Sequence, residues 1–324
     1  MSAPSPEVDR PAPAPAGVVM THPRLAALVE AARQRAGAQP AALALVHPCD
    51  TLAMEAVQAA RASGIARPVL VGHRGLIERA ADAAGVDLSD CEIHAPDREE
   101  PAAAARLAVD LVRRGGAGAL MKGSLHTDEL MSAVVAREHG LRGERRISHA
   151  FLFDLPRYHK LLALADCVVN IAPDLRTKVD ILGNAVALLR RLGIAEPRVG
   201  IVAAVETVNP AIPATLDAQS LCAMAASGTW GTLRVEGPMG LDIALSAQAA
   251  RIKKLPSEVA GDPDLLLMPD LNAGNMLYKG FNYIGGGDCA GLVLGARVPI
   301  VLTSRADSLQ SRLASMALAT LAAD

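Results

Sequence analysis

The chain has 324 residues, 51% of them apolar and only 2% aromatic, with a formal net charge of −2. That charge balance excludes the strongly basic footprint of a nucleic-acid-binding protein, and no apolar run reaches the roughly 18 residues of a membrane span. The length suits two domains or one large one, and a core built from Ala, Leu and Val suits parallel strands covered by helices. The first stretch, MSAPSPEVDRPAPAPAGVV (1–19), is Pro/Ala-rich and reads as a disordered tail. It lacks the basic-then-apolar order of a secretion signal, so a cytoplasmic location is expected. AALALVHP (41–48) then reads as a strand, DTLAMEAVQAARASG (50–64) as a helix closed by glycine, RPVLVG as a strand and RGLIERAADAAG as a helix. CEIHAP follows as a short strand, AAAARLAVDLVRRGG as a helix, GALMKG (118–123) as a strand and TDELMSAVVAREHG as a helix. Such alternation with short joins predicts a parallel, helix-covered sheet.

The pattern then changes. RRISHAFLFDLP (145–156) and DCVVNIAP (166–173) have no helix between them, which predicts an antiparallel pair. Helix TKVDILGNAVALLRRLG, strand RVGIVAAVE and helix PATLDAQSLCAMAASG follow, and LRVEGPMGLDIALS (233–246) reads as loop-rich. DLLLMPD (264–270), CAGLVLG (289–295) and VPIVLTS (298–304) read as buried strands, and LQSRLASMALATLAA as the last helix. The expected organisation is a tail (1–19), a first α/β domain (20–147 plus 300–324) and a second α/β domain (148–299).

The five cysteines (Cys49, Cys91, Cys167, Cys222, Cys289) are widely spaced with no C-x-x-C, which argues against a disulfide framework or a zinc site. No phosphate-loop, dinucleotide, H-E-x-x-H or G-x-S-x-G motif appears. Polar clusters at strand ends remain, where ligands of α/β sheets bind. Lys122, Gly123, Ser124, His126 and Thr127 follow one strand. Gly123 would let amides approach an anion, and Ser124 or Thr127 would cap the next helix. The reading of a plain cap beside a solvated lysine is equally open. Glu236–Asp242 forms a second cluster, with an ordinary turn as its first reading. Asn272, Asn275 and Lys279 follow another strand, with Asn272 as an expected N-cap. Ser304, Arg305 and Asp307 in VLTSRADS follow the last strand. A cap explains Ser304 and Asp307, but not a cation beside the positive end of a helix dipole; an anionic ligand would explain Arg305.

Taken together, LMKGSLHTDELMSAVV, RRISHAFLFDLP, VEGPMGLDIALS, LLLMPDLNAGNMLYKGFNYIGGGDCAGLVLGA and VPIVLTSRADS resemble the phosphate acetyltransferase/phosphate butyryltransferase (phosphotransacylase) family, over roughly residues 20 to 324. The pattern is nearer the butyryltransferase-like branch. The resemblance implies two α/β/α domains with a cleft between them, as in isocitrate and isopropylmalate dehydrogenases, and a homodimer. It implies reversible transfer of an acetyl group between CoA and inorganic phosphate, with no metal and no permanently bound cofactor, CoA and acetyl-CoA being substrates. Phosphate butyryltransferase or a broad short-chain enzyme is the alternative, ahead of a non-catalytic acyl-CoA-binding regulator. By the resemblance, Asp307 is the base for the CoA thiol, Arg305 holds phosphate and Ser304 donates a hydrogen bond, while Lys122, Gly123, Ser124, His126, Thr127, Asn272, Asn275 and Lys279 contact substrate. Two departures stand out. The loop between the Ser-Arg pair and the aspartate is shorter than in the acetyltransferase branch. The helix reading DELMSAVV lacks that branch's arginine, for which Lys122, Arg145 or Arg146 are the expected substitutes.

Overall fold

The computed structural model describes residues 18–304 and 307–323. Its first half runs α1 (Pro23–Ala36), β1 (Ala42–Val46), α2 (Thr51–Ser63), β2 (Arg67–Val71), α3 (Arg74–Ala84), β3 (Glu92–His94), α4 (Pro101–Arg113), β4 (Ala119–Lys122) and α5 (Thr127–Val134). Local chemistry sets these boundaries. Asp50 opens α2 by accepting a hydrogen bond from the Ala53 amide at 2.8 Å, and Gly64 closes it in the left-handed region at φ 66°. The second half runs β5 (Ser148–Asp154), β6 (Leu162–Ala165), α6 (Leu175–Arg191), β7 (Arg198–Val202), α7 (Pro213–Ala226), β8 (Arg234–Met239), α8 (Leu241–Leu245), α9 (Ala247–Ile252), β9 (Leu265–Leu267), α10 (Leu271–Tyr283), β10 (Asp288–Leu294), β11 (Ile300–Val301) and α11 (Leu309–Ala322).

The strands among the described residues form one eleven-stranded sheet in the order β3-β2-β1-β4-β11-β10-β5-β6-β9-β7-β8. The block β3 to β11 is parallel, and so is the block β6 to β8. The strands β10 and β5 join the blocks through antiparallel pairings, so the two blocks point in opposite directions. The last strand returns to the first block, beside β4.

Several expectations change. The partner of β5 is 162–165 rather than 166–173, because Asp166 ends the strand: its carboxylate accepts the Val168 amide at 2.8 Å and the Val169 amide at 3.0 Å. The stretch expected to be loop-rich holds β8, which tolerates Pro238 because it is an edge strand, and α8. The last strand shrinks to Ile300–Val301. The helix α1, absent from the pattern read above, buries Leu25, Leu28 and Ala32. Of the expected tail, residues 1–17 lie outside the described residues.

The packing explains where a site can form. One sheet face is covered without interruption: Leu43 and Leu45 of β1, Leu292 of β10, Leu152 of β5 and Leu265 of β9 share a single apolar cluster with α1, α2, α6 and α11. The other face carries two separate clusters. One joins β1, β4 and β11 to α4 and α5; the other joins β5, β6 and β9 to α8, α9 and α10. Each is stabilised by burying its own apolar side chains; they meet over β10, which lends Val293 to the first and Cys289 to the second and leaves a strip at Gly291 between them. No helix among the described residues is long and apolar enough to cross a membrane.

Candidate active site

Parallel pairing brings the C-terminal ends of β1, β4 and β11 side by side. After β1 the chain turns at His47, which has φ 53°, a strained value for a residue with a Cβ. Burial holds its imidazole below the usual range, against the opposing charges of Glu129, Asp50 and Glu99. After β4, the Gly123 amide donates to Val46 O at 2.9 Å and the Ser124 amide to His47 O at 2.9 Å. The Ser124 hydroxyl donates to the same His47 oxygen at 2.7 Å and accepts from the Cys49 amide at 3.1 Å. A Cβ at Gly123 would stand 2.6 Å from both Val46 O and His47 O. Glycine here therefore serves the approach of two chain segments, and its amide is spent on β1 rather than offered to an anion.

Lys122 folds its ammonium over the following turn, 3.2 Å from Gly123 O and 3.3 Å from Leu125 O. The expected caps shift: α5 is capped at His126, not at Ser124 or Thr127. Glu129 accepts the His126 amide at 2.8 Å, and Asp128 and Glu129 occupy the first turn. Those carboxylates already answer the positive end of the helix dipole and oppose a phosphate there. His126 and Thr127 stay exposed beside them.

The extension of β11 carries Ser304 and Asp307. The Ser304 amide donates to Asp307 Oδ2 at 2.6 Å and the Asp307 amide donates to Ser304 O at 3.2 Å, closing a tight turn. The expected cap moves again: α11 is capped by Ser308, whose hydroxyl accepts the Ser311 amide at 2.9 Å. Burial pushes the Asp307 carboxyl above its ordinary range; the Ser304 amide and Arg312 pull it back, Asp288 adds to the rise, and Lys122 lowers it. Arg305 lies outside the described residues.

Sequence reasoning missed two residues here. Asp288, heading β10, accepts hydrogen bonds from Ser308 Oγ at 2.9 Å, from Gln310 Nε2 at 2.7 Å and from Ser311 Oγ, and so fixes the first turn of α11 next to Asp307. Arg312 is 5% exposed and donates to Leu52 O at 3.1 Å and Ser304 O at 3.2 Å. It lines a cavity of about 20 Å³ with Asp50, Lys122, Gly123, Thr303 and Ser304. Its signal in the sequence is that it is the one charged side chain of α11.

The expected substitutes Arg145 and Arg146 are elsewhere. Both precede β5, whose N-terminal end is opposite the Ser304 turn in the strand register. Arg146 Nη1 donates to Thr177 Oγ1 at 3.0 Å, and Arg145 packs over Gly183 beside Trp230. Among the described residues, the cations gathered with Ser304 are Lys122 and Arg312.

Along the other side of the strip runs α10. Asp270 caps it by accepting the Ala273 amide at 3.0 Å, where Asn272 was expected. Asn275 Nδ2 donates to Cys167 O at 3.2 Å, at the N-terminal end of β5. Asn272 and Lys279 lie on the exposed face of α10 with Met276 and Tyr283. Asn275 is thus tied to the turn after β6, while Asn272 and Lys279 face solvent. Tyr278, on the inward face, does approach: burial, then the charge of Asp307, pushes its hydroxyl up. Cys49, near Ser124, has its thiol pushed up to about 11 by burial, with Asp50 adding to it, and so is protonated at neutral pH.

A half-buried carboxylate and a serine beyond β11, with Lys122 at the end of β4 and Arg312 on α11, fit acyl transfer to an anion, and comparison with known proteins fixes the family. The family model described as phosphate acetyl/butaryl transferase matches residues 98–320, which span both the Lys122 turn and the Asp307 turn. The chain belongs to this family. It is 48% identical over 91% of its length, and 92% of the relative's, to a phosphate acetyltransferase of Rhizobium meliloti. It is 40% identical over 85% of its length, and 90% of the relative's, to a phosphate butyryltransferase of Clostridium acetobutylicum. A branched-chain phosphotransacylase from Enterococcus faecalis V583 superposes with a TM-score of 0.76 at 28% identity, covering 87% of this chain and 98% of that one. The dehydrogenase-like fold expected from the resemblance is present: a 4-hydroxythreonine-4-phosphate dehydrogenase from Burkholderia phymatum superposes with a TM-score of 0.54 at 14% identity, covering 88% and 98%.

Proposed function

We propose that the chain transfers an acetyl group reversibly between CoA and inorganic phosphate in the cleft between α5 and α10. The observation that carries this reading is Asp307: a half-buried carboxyl, raised above its ordinary range and held by the Ser304 amide beside Lys122 and Arg312. A carboxyl so tuned takes a thiol proton better than an ordinary aspartate. In the acetyl-CoA-forming direction the CoA thiol gives its proton to Asp307 as its sulfur attacks the carbonyl carbon of acetyl phosphate. The carbon–oxygen bond to phosphate breaks, phosphate leaves with the bonding pair, and the proton passes from Asp307 to give hydrogen phosphate. Arg305 clamps the leaving phosphate, Lys122 and Arg312 supply further positive charge, and Ser304 donates to the developing oxyanion. The transfer is direct, without a covalent enzyme intermediate.

The 48% identity to a phosphate acetyltransferase supports acetyl as the group transferred. The butyryltransferase relative and the branched-chain phosphotransacylase support a second reading, a broader short-chain enzyme. We further place the boundary between the first and second α/β domains near residue 148, and the active form as a homodimer. Exposed apolar side chains on α10 and just beyond it support the dimer: Met276 is 70%, Tyr283 75% and Ile284 90% exposed. Thioester formation from acetyl phosphate and CoA tests the activity. Formation that saturates in both substrates supports it; no thioester at any concentration overturns it. Sedimentation equilibrium tests the dimer, and a fully active monomer at micromolar concentration would overturn that part.

A further inference from the structure

The chain contains three phenylalanines, and all of them gather with Tyr278 between β5 and α10. The Phe151 and Tyr278 rings stack with centroids 4.2 Å apart and planes 4° apart. Behind them Phe153 meets Phe281 edge-on at 5.3 Å. The His149 ring sits 4.4 Å from Phe151, and burial pushes its pKa down to about 4, so it is a neutral third ring at neutral pH.

Gly291 shows which way these rings lean. It pairs with Phe151 across β10 and β5. A Cβ on it would stand 2.8 Å from a Phe151 ring carbon and 3.0 Å from His149 Cε1. The rings therefore reach over β10, toward the strand whose extension carries Ser304 and Asp307. They do so on the face where the two apolar clusters part. Phe151 is only 9% exposed, so the floor of the strip is filled rather than hollow.

We propose that the Phe151–Tyr278 stack, backed by His149 and made room for by Gly291, is the wall of the acyl subsite and restricts it to short chains. The inference rests on the acyl transfer proposed above. That reaction assembles a thiol, a phosphate and an acyl group, of which the acyl chain is the apolar part. Around Asp307 the β4 and α11 sides are polar, with Lys122, Ser304 and Arg312. The α10 side is aromatic. An acetyl methyl can rest against the Phe151 edge, whereas a four-carbon chain needs the ring displaced.

The test is kcat/KM with phosphate for acetyl-, propionyl-, butyryl- and hexanoyl-CoA in the wild type, Phe151→Leu, Phe151→Ala and Tyr278→Ala. The wild type should favour the shorter chains. Phe151→Ala should raise the butyryl-to-acetyl ratio by about 10–200-fold, the range for methylene-sized changes in a pocket. The leucine variant, which keeps most of the buried volume, should move the ratio the same way by less. A folded leucine or alanine variant whose ratio is unmoved, or a wild type indifferent to chain length, would overturn the wall while leaving the activity standing. Absence of wild-type turnover with every acyl-CoA would instead overturn the activity on which the wall rests.

Discussion

Replacing Asp307 by asparagine removes a base while keeping a shape. The asparagine oxygen can still accept the Ser304 amide, now at 2.6 Å from Asp307 Oδ2, so the turn before α11 should survive. A positioned general base contributes about 10²–10⁴ in rate, which at about 1.36 kcal/mol per tenfold is roughly 2.7–5.4 kcal/mol of barrier. The assay is the initial rate of thioester formation from acetyl phosphate and saturating CoA across a pH series. Because burial raises the Asp307 carboxyl, the wild-type acid limb should lie above the ordinary aspartate range. In the variant that limb should vanish, and the rate should climb as pH approaches the thiol pKa of about 8.5. Stability should move the opposite way to activity. A carboxyl whose folded pKa is raised binds its proton more readily in the folded state, so its charge costs stability once pH passes that folded pKa. Asp307→Asn should then melt no lower than wild type at neutral pH. Near-normal kcat at neutral pH, or an acid limb that persists in the variant, would refute the assignment and reduce Asp307 to a residue that shapes the turn.

Other perturbations separate the roles around it. Arg312→Gln should raise the KM for phosphate and, because Arg312 lowers the Asp307 pKa, shift the acid limb to higher pH; Arg312→Lys should restore part of both. Asp288→Asn should weaken its contacts to Ser308, Gln310 and Ser311, costing about 1.5–3 kcal/mol, the scale of a hydrogen bond to a charged group, with kcat falling more than the KM for phosphate changes. Arg24 holds the buried Asp154 carboxylate through Nη1 at 2.5 Å and its amide at 2.7 Å. Arg24→Ala should cost about 3–5 kcal/mol in denaturant unfolding, as for a broken buried pair, and adding Asp154→Asn should recover part of it.

Much of the fold is legible in the chain because its signals are local. The short apolar runs at 42–46 and 68–71, with an aspartate cap and a glycine stop between them, mark a βαβ unit before any contact is known. The same holds for the polar residues after each apolar strand, since a strand that ends at Lys122 or near Ser304 announces a strand-end site. What could not be read depends on partners far away in sequence. The end of β6 at Ala165 is set by the Asp166 side chain folding back onto the amides that follow it. The cap of α10 falls on Asp270 rather than Asn272, a shift of half a turn that moves Asn272 and Lys279 to the exposed face. Arg312 joins the site only because α11 packs against α2, bringing the guanidinium to Leu52 and Ser304. Gly123 looks like a glycine offered to a phosphate until the pairing of β1 with β4 shows what its missing Cβ makes room for.

The most direct measurement of the central claim is the stoichiometry of the reverse reaction with the purified chain: free thiol released from acetyl-CoA against acetyl phosphate formed, with and without inorganic phosphate. The expected result is release that requires phosphate and matches acetyl phosphate one for one. Thiol release without phosphate, or release with no acetyl phosphate formed, would mean that the site hydrolyses the thioester and does not pass the acetyl group to phosphate.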